Sequence, residues 1–239
     1  MEKPSHELSI GEILNQTFSL YFARFGGFFV PFLVAGLVTG VWSTFVSLSF
    51  PFPETPSPYA DLEVIFSWLF AFLGVLFWVL VLTLTVSWIV GSVVQGMAIK
   101  YASDILEKRD TDLSKVFSFT MSKLLSLLVA SVITGILIAV GLVCLIGPGI
   151  ILAVMFSLVV PSIMIEQIGA IEGLSRSRKL VGKRWGKTFV LLFLVYMLII
   201  VASLIFDAVC APLGEFSGIL SGALTAFVQP IVPIAMTLL

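Results

Sequence analysis

The chain of 239 residues is 59% hydrophobic and only 11% charged, with a mean hydropathy of +1.15, values that exclude a soluble globular domain and fit a multipass membrane protein. A formal net charge of −1 offers no basic field for a nucleic acid, so what matters is where the thirteen cations lie along the chain. Two cysteines and one histidine exclude a Cys/His metal cluster built from this chain alone, and no cofactor motif is present.

The polar start, residues 1 to 7, is not followed by a short apolar segment with a small-residue cleavage site, so the first span is expected to act as its own insertion signal. Ser9-Ile10-Gly11-Glu12 has the form of a capping box, with Leu8 and Ile13 placed to form the accompanying staple. Ile10, Leu14, Phe18, Tyr21, Phe22 and Phe25 then make an apolar stripe opposed by Glu12, Asn15, Gln16 and Ser19, the pattern of a helix lying in the membrane interface. Gly26-Gly27 is expected to turn the chain into the bilayer.

Span one, about residues 28 to 49, is long enough for a hydrocarbon core that needs roughly 20 apolar residues. It carries Gly36 and Gly40 as a GxxxG pair, which permits close helix approach. Residues 51 to 61 are proline-rich, acidic and free of Lys and Arg, and read as an extended loop outside the membrane. The next apolar run, about Leu62 to Ile99, is too long for one ordinary span and too short for two with a turn. Charge decides in favour of one span that continues as a helix to about Glu107, because only then do Lys100, Lys108, Arg109, Lys115 and Lys123 share a side with Lys3 and Arg24.

Asp110 to Ser114 offers capping residues for a second interfacial helix, and Leu124 to Ile165 holds two spans if Gly147-Pro148-Gly149 is the external turn. Residues 168 to 187 place six cations, Arg176, Arg178, Lys179, Lys183, Arg184 and Lys187, between two apolar runs. At helical spacing Arg176, Lys179, Lys183 and Lys187 fall on one side and Leu174, Val181 and Trp185 on the other, which predicts a basic amphipathic helix over residues 171 to 187. Span five is expected over about Thr188 to Ala208, a last external loop over 211 to 217, and span six over about Gly218 to Leu239. Gly214, Gly218 and Gly222, spaced by four, extend the small-residue packing surface. The run ends at Leu239 without flanking charge, which leaves a continuation open.

Self-similarity organises the whole chain. Aligning Glu12 with Glu172 also matches Leu14 with Leu174, Leu20 with Leu180, Arg24 with Arg184, Phe25 with Trp185, Gly26 with Gly186 and Phe29 with Phe189. In a weaker third copy Leu113, Phe119, Lys123 and Leu124 take the places of Leu174, Leu180, Arg184 and Trp185. Gly149-Ile150 and Gly218-Ile219 each precede a Val-x-Pro at the same offset, and Pro161 and Pro230 are expected to kink their spans. The expected fold is therefore all-α: one integral membrane domain of six transmembrane helices, as three repeats of interfacial helix plus hairpin over about 9–107, 110–165 and 168–239. Both termini are expected to be cytoplasmic in a cell membrane.

Gly147-Pro148-Gly149-Ile150-Ile151, the helix end from Pro161 to Glu166, and the run from Glu172 to Trp185 resemble the membrane domain of glycerophosphoryl diester phosphodiesterases and related prokaryotic multipass proteins. In those enzymes the domain is similar in being a six-span anchor, while hydrolysis belongs to a separate soluble barrel with metal-binding carboxylates and histidines. No such barrel lies within these 239 residues, so the resemblance implies an anchor or a partner-binding module.

The residues themselves offer little chemistry. His6 has no acidic or nucleophilic partner at a diagnostic spacing, and no Ser/His or paired Asp arrangement falls inside the spans, so no catalytic or metal-binding residue is assigned. Asp207 falls near the outer end of its span, and a bridge between Cys144 and Cys210 would staple the second hairpin to the third. Gln95 and Gln167 read as interhelical hydrogen-bond partners. Two function classes follow. One is a noncatalytic module that anchors or organises a partner protein or anionic lipid at the cytoplasmic face through the six cations. The other is a small transporter or lipid-handling protein that uses Pro161, Gln229, Pro230 and Pro233 in the kinked spans four and six.

Overall fold

The computed structural model describes residues 8–109 and 111–239, with the backbone alone at 215 and 216. It is 85% helical with no strand among the described residues, so the all-α class holds. The described residues form ten α-helices in order: α1 (Ile10–Ala23), α2 (Phe25–Ser49), α3 (Leu62–Leu106), α4 (Leu113–Cys144), α5 (Ile146–Met155), α6 (Val159–Glu166), α7 (Ala170–Gly182), α8 (Trp185–Cys210), α9 (Ser217–Thr225) and α10 (Ile231–Leu238), with a 3₁₀ turn at Ala211–Phe216. Among the described residues five stretches are long and apolar enough to cross a membrane, namely α2, α3, α4, α5 with α6, and α8 with the turn that follows it. This is a multipass membrane protein. The many apolar side chains exposed along α3, α4 and α8 are those that a bilayer would cover.

Local chemistry explains most boundaries. Ser9 accepts from the Glu12 amide at 3.3 Å and Glu12 from the Ser9 amide at 2.6 Å, closing the capping box that starts α1. α3 runs as one helix of 45 residues, about 68 Å at 1.5 Å per residue, and only its last third is buried. Its buried block, Met97 to Ile99 and Tyr101 to Asp104, meets α6 and α10 to form the centre of the molecule. Around that centre α1 packs on α10, α4 on α3 and α7 on α6.

Several boundaries differ from the sequence reading. The turn into α2 is made by Arg24 (φ −131°, ψ 38°), and Gly26-Gly27 lie inside the helix. Gly27 is there for contact, because a Cβ would run into the Tyr101 ring. The second interfacial helix is not separate: with no glycine or proline near Lys123, Leu113–Cys144 continues unbroken. Gly147-Pro148-Gly149 fills the first turn of α5, where proline needs no N–H partner, and the chain reverses at Leu145 (φ −164°, ψ 142°). Of the α1 stripe, Phe22 faces outward, and the buried residues are Ile13, Thr17, Leu20 and Tyr21. The predicted span six is two short helices separated by residues 226 to 230, so it does not count among the five.

Burial repeats along the chain. Ile13, Thr17, Tyr21, Phe28, Phe32 and Ala35 are buried, and so are the residues 160 positions later: Gly173, Ser177, Val181, Thr188, Leu192 and Val195. In α4 Val116, Thr120 and Leu127, each 61 before Ser177, Val181 and Thr188, are buried too. The hinge at Arg184 (φ −135°, ψ 26°) matches that at Arg24, again 160 apart.

α2 and α9 approach backbone to backbone. A Cβ on Gly36 would strike the Gly222 carbonyl, one on Gly222 would sit 2.9 Å from the Gly36 oxygen, and one on Gly40 would sit 2.8 Å from Ile219 Cα. Gly218 contributes its carbonyl to that contact but has open space at its own Cβ position, and Gly214 (φ 58°) lies off the contact. Cys144 is exposed and Cys210 buried, both as free thiols, so no bridge staples the hairpins. Replacing Gly36 or Gly222 by Leu is expected to cost about 1–3 kcal/mol through overpacking. Melting in detergent should fall clearly for both and stay near the parent for Gly218→Ala.

Candidate functional site

α7 is held by one face. Glu172 accepts from the Gly169 amide at 3.2 Å and so fixes its start. Gly173 lets the helix sit on α6, since a Cβ there would come 2.7 Å from Ile163 Cγ1. Ser177 lies one turn further on, beside the break between α5 and α6. There the chain tightens: the Ser157 amide donates to Val154 and the Val159 amide to Phe156, leaving the Leu158 amide and the Met155 carbonyl without helical partners. Ser177 Oγ serves both, accepting from Leu158 at 3.2 Å and donating to Met155 O at 2.7 Å. At residues 226 to 230 the corresponding break frees the Phe227 carbonyl, which accepts from the Tyr21 hydroxyl of α1 at 3.0 Å. Burial pushes the Tyr21 phenol up to about 12, which keeps it a donor.

With Gly173, Ser177 and Val181 turned inward, the cations of α7 line a groove of about 830 Å³ that Thr188 also borders and whose apolar edge is Leu158 and Leu239. Arg176, Arg178, Lys179, Lys183 and Arg184 all border it. They do not share one helix as predicted, because α7 ends at Gly182 and Arg184 is the hinge into α8. Arg176 pairs with Glu166 at 2.6 Å. Arg178, Lys179 and Lys183 form no ion pair or hydrogen bond among the described residues, while Arg184 has an interaction of its own. Lys187 stands apart from the groove, on α8, and donates to the Leu8 carbonyl.

A second cavity, of about 580 Å³, opens between α4, α5 and α8. Its walls are apolar apart from Gln95, Thr134, Ser157 and Tyr196, and the Thr134 hydroxyl is buried without a partner among the described residues. Of the four residues assigned to a transport path only Pro233 reaches it; Pro161 and Pro230 are buried elsewhere and Gln229 is exposed in the break before α10. Gln95 is exposed at the cavity wall, and Gln167 is exposed in a left-handed α6 cap (φ 58°) whose carbonyl accepts from Lys123 at 2.7 Å. Asp207 is exposed and His6 lies outside the described residues. Thr134 escaped the sequence reading, since a lone threonine in an apolar run carries no signal of its own.

No protein-family model, curated protein or solved structure matches this chain.

Ser177→Ala would leave an amide and a carbonyl unpaired in the interior, at about 1–3 kcal/mol for a buried polar group without a partner. Hydrogen exchange at Leu158 should rise and melting in detergent should fall, whereas Ser175→Ala, on the exposed side of the same helix, should change neither.

Proposed function

We propose that the chain crosses the cell membrane six times, in three units of interfacial helix plus hairpin, as a noncatalytic module that holds anionic lipid headgroups at its cytoplasmic face. The observation that carries this reading is the groove with Arg178, Lys179 and Lys183 free of acidic partners among the described residues. Support for the three units comes from the burial and hinge positions that recur 160 residues apart, and from the two broken stretches, α5–α6 and α9–α10, that follow the Val-x-Pro offset. On this reading α9–α10 is the sixth span, missed by length because it is broken in the middle. The acidic loop 51 to 61 then lies outside, and the cations of α3, α4 and α7 inside, as the positive-inside rule requires. The likeness to the phosphodiesterase membrane domain fits an anchor of this kind. A partner protein that presents phosphate or carboxylate groups could use the same groove, and the test separates the two.

Cations near an anionic surface contribute about 1 kcal/mol each, so replacing Arg178, Lys179 and Lys183 together by Gln removes several kcal/mol of headgroup attraction. Arg176, Arg184 and Lys187 stay to preserve the inside charge bias. Co-purifying anionic lipid should drop while insertion is unchanged; unaltered lipid with loss of a pulled-down protein would favour the partner, and no change in either would reduce the cations to a topology signal. Topology itself is read by cysteine labelling in a background without Cys144 and Cys210: Ser57→Cys should label from outside and Lys115→Cys from the cytoplasm, and the reverse pattern would refute the arrangement.

A further inference from the structure

The basic groove and the apolar cavity are neighbours. Leu158 borders the groove and Ser157 the cavity; on α8 Thr188 borders the first and Phe189 the second. Between them lies one apolar cluster, Val154, Leu158 and Val181, against which Trp185, Phe189 and Met236 pack. Trp185 stacks on Phe189 with ring centroids 5.3 Å apart, and its indole N–H is buried with no partner among the described residues.

Resting on the reading of the groove as a headgroup site, we propose that a single anionic phospholipid occupies both spaces, its phosphate among Arg178, Lys179 and Lys183 and one acyl chain in the cavity. Three observations select this occupant. First, the groove is cationic and the adjoining cavity apolar, which is the division of chemistry within such a lipid. Second, the cavity follows α8 from Phe189 to Ile200, about 16 Å of helix, the depth of one leaflet of a roughly 30 Å hydrocarbon core. Its 580 Å³ falls within the roughly 300–1,000 Å³ of ordinary ligand sites. Third, Trp185, whose N–H is buried without a partner among the described residues, packs on a cluster that adjoins both spaces, with Val154 on the cavity and Leu158 on the groove. A polar solute would give up most of its hydrogen bonds in this cavity; an alkyl chain has none to give up.

Native mass spectrometry of the full chain in detergent tests the proposal, with phosphatidylglycerol, its deacylated headgroup glycerophosphoglycerol, and phosphatidylcholine as probes. One phosphatidylglycerol should be retained in preference to phosphatidylcholine, and the headgroup alone should bind far more weakly. Replacing Arg178, Lys179 and Lys183 by Gln should weaken phosphatidylglycerol roughly a hundredfold. Ala153→Phe and Ile200→Trp, which narrow the cavity from α5 and from α8, should weaken it as well. Undiminished binding by both narrowed variants, with the charge variant weakened, would overturn the chain seat and leave the headgroup reading standing; undiminished binding by all of them would overturn both. Should the narrowed variants fail to fold, the parent decides, because a headgroup that binds as tightly as intact lipid, or phosphatidylcholine that binds as tightly as phosphatidylglycerol, would also sink the proposal.

Discussion

Backbone groups buried in the interior of a protein have no water to bond, so a helix that breaks there must find its partners among neighbouring helices. Two stretches of this chain break, at residues 156 to 158 and 226 to 230, and each takes a hydroxyl from a helix outside it: Ser177 of α7 at the first, Tyr21 of α1 at the second. The positions of α1 and α7 depend on these bonds. Once Ser177 is fixed against Met155 and Leu158, Gly173 and Val181 follow it inward, and the cations between them can only face away.

The same constraint explains why the segment of α4 that matches α1 and α7 looks different. α4 packs on α3, and α3 is unbroken, with no proline in its buried end and so no carbonyl to satisfy. Thr120, at the position equivalent to Val181, bonds the Val116 carbonyl of its own helix. With no break to serve, the segment need not be a separate helix, and it runs straight on to Cys144. The packing of α1 on α10 closes the series, bringing the first described helix against the last.

Much of this arrangement was legible in the sequence because it is written in residue types with one physical meaning. Ser9 and Glu12 cap a helix, Gly36 and Gly222 allow backbone contact, and the charge pattern requires α3 to be one helix. The hinges were harder to see. Glycine pairs at 26–27 and 147–149 suggested turns, yet the chain bends at Arg24 and Leu145, because a glycine can serve close packing as readily as a turn and composition does not say which. Ser177 carried no signal beyond a polar residue in a basic helix; its role depends on a break 19 residues earlier in the chain. The cavity was illegible for the same reason, since its walls come from six helices and its polar members are scattered singly among apolar neighbours.

The cations themselves divide by what they touch. Lys100 bonds Asp104 at 2.7 Å and lies 5.0 Å over the Phe119 ring, Lys123 bonds the Gln167 carbonyl, and Lys187 bonds the Leu8 carbonyl. Each ties one segment to another or caps a helix end, where a positive charge is favourable. A topology signal requires only that cations share a side, with no demand on their spacing or partners. Arg178, Lys179 and Lys183 exceed that requirement, because they gather along one groove whose apolar edge is Leu158 and Leu239. Acidic residues could have neutralised them there, as Glu166 does Arg176, and none among the described residues does. Three such charges along one groove set like charges close together, and an anion placed among them would offset their mutual repulsion.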